Sequence, residues 1–353
     1  MNPIPTADPL PLPSPPSLLW ALLMLTFVVH VVAMNFVLGG SIIAAVTRFR
    51  RSEERDRLTH WLGKTMPTLV AAAITFGVAP LLFLQTLYGR LFFSSTVLMG
   101  WIWLAIVPLL IVAYYGTYAS AFRRVAVTVP VVVALLFIAI SFIQSNNMTL
   151  MLRPDRFLPM YFESGRGLHL NAGDPTLFPR WLHMLFGAIA VAGLGVAGFG
   201  VAKSEAWAVR YGAFWFAGAT MLNVVTGMWW LGALPGPVVM RFMGQNPLAT
   251  TWLALGILLG FAALVLMLMT LGRREPRRLV KHSAWLTLGA VVMMLLARDE
   301  VRRGMLELAQ FRMTVWIEPQ WDVIAIFAVL LVGAVAVTVW MGSLLLRRKP
   351  AAG

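Results

Sequence analysis

Residues 18–46 read LLWALLMLTFVVHVVAMNFVLGGSIIAAV, a run in which His30 is the only ionisable side chain. A helix needs about 20 apolar residues to cross a bilayer, so this stretch is long enough to span. An imidazole inside hydrocarbon costs free energy unless it is coordinated or hydrogen-bonded, and an intramembrane histidine therefore reads as a functional position. One other histidine shares this setting: His183, in PRWLHMLFGAIAVAGLGVAGFGV.

The composition agrees with a chain built from such segments. Hydrophobic residues make up 59%, charged residues 12%, and the mean hydropathy is +0.80, outside the range of soluble domains. The expected fold class is an all-α integral membrane protein. Apolar runs bounded by charge or by Pro and Gly predict nine transmembrane helices, near 18–46, 61–88, 96–122, 125–147, 181–201, 207–234, 248–271, 282–297 and 323–346. The eighth reaches spanning length only by continuing into the charged RDEVRR stretch. Residues 1–17 are proline-rich and lack the basic flank of a signal peptide, so they read as an extended external tail ahead of a membrane domain at 18–349. Outer loops are expected at 148–180, 235–247 and 298–320.

Lys and Arg collect on the cytoplasmic side of membrane proteins, and here they orient the chain. The connections that would share one side hold 18 of the 28 bases and 5 of the 14 acids, a net of +13, leaving +1 for the other side. The N-terminus is thus expected outside and the C-terminus in the cytoplasm. The formal charge of +14 is a topology signal, so a nucleic-acid partner is not implied.

With the orientation set, depth along each helix follows. His30 lies 17 residues before Thr47 and His183 lies 18 before Val201, so both sit about 26 Å from the cytoplasmic ends of their helices. Two histidines at matched depth, with Gly39 and Gly40 on one helix and Gly187 and Ala188 on the other, favour a flat macrocycle such as haem. The plainer alternative is a pair of core histidines, each bonded to a neighbouring carbonyl. The chain has no cysteine, which excludes thiolate-held iron–sulfur clusters and covalent haem attachment. Arg180 just before His183, and Arg298, Arg302 and Arg303 after the eighth run, are placed to pair with haem propionates or to form a solvated rim. Phosphate loops, zinc-spacing clusters and nucleophile elbows do not occur, which leaves nucleotide and hydrolase chemistry unsupported.

These residues bring a family into view. His30 followed by NFVLGG, Trp61-Leu62-Gly63-Lys64 opening the second run, FIQSNNMTLML closing the fourth, His183 in the fifth, and Asp322 and Arg347 flanking the last together resemble subunit I of the cytochrome bd quinol oxidases. The resemblance implies nine helices in oxidase-like four-helix bundles, with His30 and His183 as iron ligands of separate haem b groups. The family's intramembrane glutamates are missing from the third and eighth runs, and its long quinol-binding loop is reduced to residues 235–247. A core without carboxylates is a poor route for the protons that oxygen reduction consumes. The methionine that ligates the low-spin haem in the family has Trp252 at the expected depth, so Met243 and His169, in the outer loops, are the further ligand candidates.

The functional expectation is a haem b electron-transfer subunit of a respiratory complex in the bacterial inner membrane. It would pass electrons between a quinone pool and a periplasmic c-type cytochrome, alongside other membrane subunits, without being an autonomous oxygen reductase. The alternative is a cofactor-poor anchor that retains the oxidase-like fold. Secondary transport is a weaker third reading, since no polar or broken-helix site is evident at midplane.

Overall fold

In a computed structural model of the protein, residues 11–50, 52–123, 125–273, 275–311 and 316–347 are described. Backbone N–H and C=O groups in hydrocarbon must be satisfied within their own segment, and long apolar runs therefore become helices. No strand occurs among the described residues, apart from a single bridge between Leu12 and Ile317. The long helices, in chain order, are α1 Pro16–Thr47, α2 Glu53–Met99, α3 Trp101–Phe122, α4 Thr128–Leu150, α5 Leu177–Lys203, α6 Ala206–Ala233, α7 Pro247–Gly272, α8 Arg277–Leu308 and α9 Trp321–Arg347. Among the described residues seven of them, α1 to α5, α7 and α8, are long and apolar enough to cross a membrane, and α9 contributes the shorter apolar stretch Trp321–Gly333. The chain is an all-α, multi-pass membrane protein. α6 is 28 residues long, but its four tryptophans, Arg210 and Asn223 make it less apolar.

Several boundaries differ from the sequence expectation, two of them for a clear local reason. α2 does not stop near residue 88: the backbone leaves helical geometry at Tyr88 and then resumes to Met99, because Arg90 interrupts apolarity without interrupting helicity. Gly100, at φ +42°, then turns the corner into α3, and a Cβ there would lie 2.7 Å from the Gly167 carbonyl oxygen. α8 continues through RDEVRR to Leu308, so residues 298–308 are helical where an outer loop was expected. Its charges sustain that continuation: Asp299 pairs with Arg302 three residues on and Arg303 four residues on, the spacing that places side chains on one helix face. The 148–180 connection holds a short helix, Phe157–Glu163, and α5 begins at Leu177, earlier than expected. The tail, where expected at 1–17, is described only from residue 11, and α1 already begins at Pro16.

The helices pack as a bundle around α1, which lies against α2, α4 and α5; α5 in turn packs on α6, and α7 on α8. The α1–α5 crossing is made by small residues. A Cβ on Gly39 would collide with the Ala188 carbonyl oxygen and would lie 2.8 Å from the Ala192 methyl. Since lipid is as apolar as leucine, such close backbone approach is how membrane helices gain packing energy. The first and fifth runs are thus direct neighbours, which brings the histidine-bearing helices side by side.

Gly39→Leu should drive α1 and α5 apart at a cost of about 1–3 kcal/mol, the usual penalty of overpacking. Gly198→Ala, on the same α5 helix with nothing within 4 Å of the added methyl, should be neutral. Thermal unfolding of the two detergent-solubilised variants, compared with wild type, checks the contrast.

Candidate cofactor site

His30 on α1 places Nδ1 2.9 Å from the carbonyl oxygen of Ala73 on α2. His183 on α5 places Nδ1 3.0 Å from the carbonyl oxygen of Asn223 on α6. In both cases the accepting helix carries a glycine four residues further on, Gly77 and Gly227. A methyl on Gly77 would come within 2.8 Å of the His30 ring, and one on Gly227 within 2.9 Å of the His183 ring. Four residues are about one helical turn, so carbonyl and glycine share one face, the first orienting the imidazole and the second making room for it. The same arrangement is built twice, on two helix pairs.

This geometry determines what the rings can do. A carbonyl accepts only, so Nδ1 carries the proton and the lone pair stays on Nε2. No hydrogen bond reaches Nε2 of either ring among the described residues. A histidine whose Nδ1–H is held by a backbone carbonyl has the arrangement usual for metal-binding imidazoles. Among the described residues no three His, Asp or Glu side chains converge on a site for a bare ion. Each histidine is a single donor, which suits a macrocycle that brings four donors of its own.

One turn nearer the N-terminal ends of α1 and α5 the chemistry changes to aromatic rings and arginines. Phe27 stacks with His30 at 6.2 Å between centroids, and the Arg298 guanidinium lies 4.8 Å from the Phe27 ring centre. On the other pair Trp230 lies 5.8 Å from His183, and the Arg180 guanidinium lies 5.8 Å from the Trp230 ring centre. Arg180, Arg298 and Arg302 come together around one small cavity of about 10 Å³, with Leu84, Met148 and Trp230 among its walls. Both histidines therefore connect, through one aromatic ring each, to the same cationic cluster.

The cluster is under-compensated. Arg180 donates Nη1 to the Met148 carbonyl at 3.0 Å and to Thr149 Oγ1 at 3.3 Å, while its Nε has no partner. Among the described residues Arg298 Nε is also buried without a partner, and Arg302 has a 3.3 Å ion pair with Asp299 and lies 4.9 Å from the Tyr88 ring centre. That buried carboxylate is shared with Arg303 at 3.1 Å and with Trp20 Nε1 at 2.6 Å. Buried guanidinium groups cost several kcal/mol each unless acceptors satisfy them, so the cluster is suited to anionic oxygens. Next to it, Arg241 has two carboxylate partners, Glu300 at 2.8 Å and Glu307 at 2.7 Å, although its buried Nε has none among the described residues.

Of the sequence candidates, the structure brings together Arg180, Arg298 and Arg302, and links them to His30 and His183. Met243 and His169 are elsewhere. Met243 is 54% exposed in the turn Arg241–Gln245, and His169 Nε2 is bound at 2.6 Å by the Ser164 carbonyl of its own loop. Sequence reasoning missed Ala73, Gly77, Asn223 and Gly227, because a backbone carbonyl carries no sequence signal. It also missed Trp230 and Met148, though Met148 lies in the quoted NNMTLML motif. Compared with known proteins, the chain matches no family model and no curated protein.

The two kinds of arginine should respond oppositely to removal of charge. Arg241→Met leaves the Glu300 carboxylate buried without its closest partner and should cost about 3–5 kcal/mol. Arg298→Met relieves an uncompensated cation and should leave stability unchanged or raised when no anion is bound. Melting temperatures of both variants check the signs.

Proposed function

We propose that the protein is a haem b electron-transfer subunit of a respiratory complex, related in design to subunit I of the cytochrome bd oxidases. In this reading it spans the bacterial inner membrane nine times, with the N-terminus outside. It exchanges electrons between a quinone pool and a periplasmic c-type cytochrome. The observation that carries the reading is the duplicated histidine, carbonyl and glycine arrangement, with both copies leading to one arginine cluster.

Each residue has a role on this reading. His30 and His183 would hold the haem iron through Nε2, and Ala73 and Asn223 hold the tautomer that leaves that nitrogen free. Gly77 and Gly227 keep the imidazoles from being displaced. Arg180, Arg298 and Arg302 would pair with propionate carboxylates, whose oxygens would supply the acceptors that their unpartnered nitrogens lack. Bound haem b supplies one-electron redox chemistry. Neither Met243 nor His169 lines the cavity, so neither is assigned as a second axial ligand. The described part of α9 is exposed from 321 to 333 except for half-buried Ile324, which supports assembly with other membrane subunits.

The carboxylates argue against independent oxygen reduction. Among the described residues the buried ones are Asp174, Asp299 and Glu300, and all three lie on the outer side in this orientation. None is placed to carry protons from the cytoplasm through the bundle.

His30→Ala and His183→Ala should each remove one haem per polypeptide, and the double variant should remove both, as measured by haem extraction and reduced-minus-oxidised spectra. Unchanged haem content in the double variant would mean core histidines, and the anchor reading would take its place. Purified protein given a quinol should take up no oxygen; sustained, enzyme-like uptake measured with an oxygen electrode would overturn the second part of the reading.

A further inference from the structure

Away from the histidines, α5, α6 and the junction of α1 with α2 line an open groove of about 600 Å³ that none of the preceding chemistry uses. It is within the size range of pockets that bury small ligands. On α6 its lining runs from Tyr211 to Leu222, 11 residues or about 16 Å, which matches the roughly 15 Å depth of one leaflet's hydrocarbon. The walls are Phe186, Ile189, Phe214, Trp215 and Ala219, with Gly218 among them. Gly218 has nothing within 4 Å of where a Cβ would stand, so no neighbouring side chain fills the space beside it.

The polar groups all lie at one end. Arg50 and Arg55 line the mouth, in the segment that the charge distribution assigns to the cytoplasmic face. The Arg55 guanidinium is held in place, 5.4 Å from the Tyr211 ring centre and 5.5 Å from that of Trp207, and Tyr211 bonds Thr47 Oγ1 at 3.0 Å. Neither arginine has an ion pair among the described residues. No carboxylate lines the cavity; Glu53, Glu54 and Asp56 are exposed on the first turn of α2, and Glu205 is engaged by Arg57 at 2.8 Å. An acyl-length apolar groove ending in two uncompensated arginines is complementary to a lipid whose headgroup carries net negative charge.

We infer that this groove is a binding site for an anionic phospholipid, with one acyl chain along Phe186, Trp215 and Gly218 and the phosphate on Arg50 and Arg55. A zwitterionic lipid brings its own cation to the mouth, and a quinone brings no anion, so neither satisfies the arginines. The inference rests on the membrane orientation proposed above and not on haem.

Native mass spectrometry of the full-length protein, titrated with dioleoyl-phosphatidylglycerol or dioleoyl-phosphatidylcholine, tests it without reference to haem content. Two arginines at a membrane surface correspond to a preference of about 30-fold for the anionic lipid. Arg50→Ala combined with Arg55→Ala should abolish the preference. Gly218→Trp should block binding of the first lipid while leaving the melting temperature unchanged, which separates occupancy from folding. Should the double arginine variant fail to fold, Arg50→Ala alone, on an exposed residue, should still weaken the preference several-fold. Equal affinity for the two lipids, no effect of Gly218→Trp, or co-purification of a quinone displaced by Gly218→Trp would each overturn the assignment. Loss of haem from the histidine variants with lipid binding intact would leave this site standing.

Discussion

The hydrogen bond from an imidazole Nδ1–H to the backbone carbonyl of the next helix is the interaction on which the rest of the site depends. It occurs at His30 with Ala73 and at His183 with Asn223, at 2.9 and 3.0 Å. In hydrocarbon a polar group without a partner is expensive, so the bond stabilises the buried ring. It also sets the tautomer, and the tautomer determines which nitrogen is available to a ligand. A helix carbonyl can accept this second bond because it has two lone pairs, one of which serves its own helix.

Packing sets where these bonds form. Gly39 lets α1 approach the Ala188 carbonyl on α5, and the two histidine helices become neighbours rather than separate spans. Each then presents its histidine to a different partner, α2 or α6, at a position where Gly77 or Gly227 leaves room. Small residues thus act at two distances from the site: they draw the helices together, and they clear the space the rings occupy.

Electrostatics gives the arginine end its character. Arg180 and Arg298 have buried nitrogens with no acceptor, and Asp299 divides its charge among Arg302, Arg303 and Trp20. A stable core would not leave such groups unsatisfied without reason, since an uncompensated cation in a low-dielectric setting costs more than a neutral replacement. The shortage of carboxylates distinguishes this cluster from Arg241 beside it, which pairs with both Glu300 and Glu307. α8 reaches far enough to supply Arg298 and Arg302 only because its charged turn remains helical.

By itself the sequence determined the class of the chain. Runs such as residues 18–46 have no alternative to helix in a bilayer, and the charge asymmetry and the matched depths of His30 and His183 follow from counting along those helices. The arginines Arg180, Arg298 and Arg302 were legible as candidates because charge beside an apolar run is conspicuous. What only the tertiary structure decided is which surfaces face one another. That Ala73 and Asn223 would supply carbonyls and that Trp230 and Met148 would join the arginines depended on the rotation of each helix about its axis. So did the placing of Met243 and His169 away from them. Rotation is set by close contacts such as Gly39 on Ala188, between residues far apart in the chain, and in a helix that is apolar all round the sequence pattern carries little record of it.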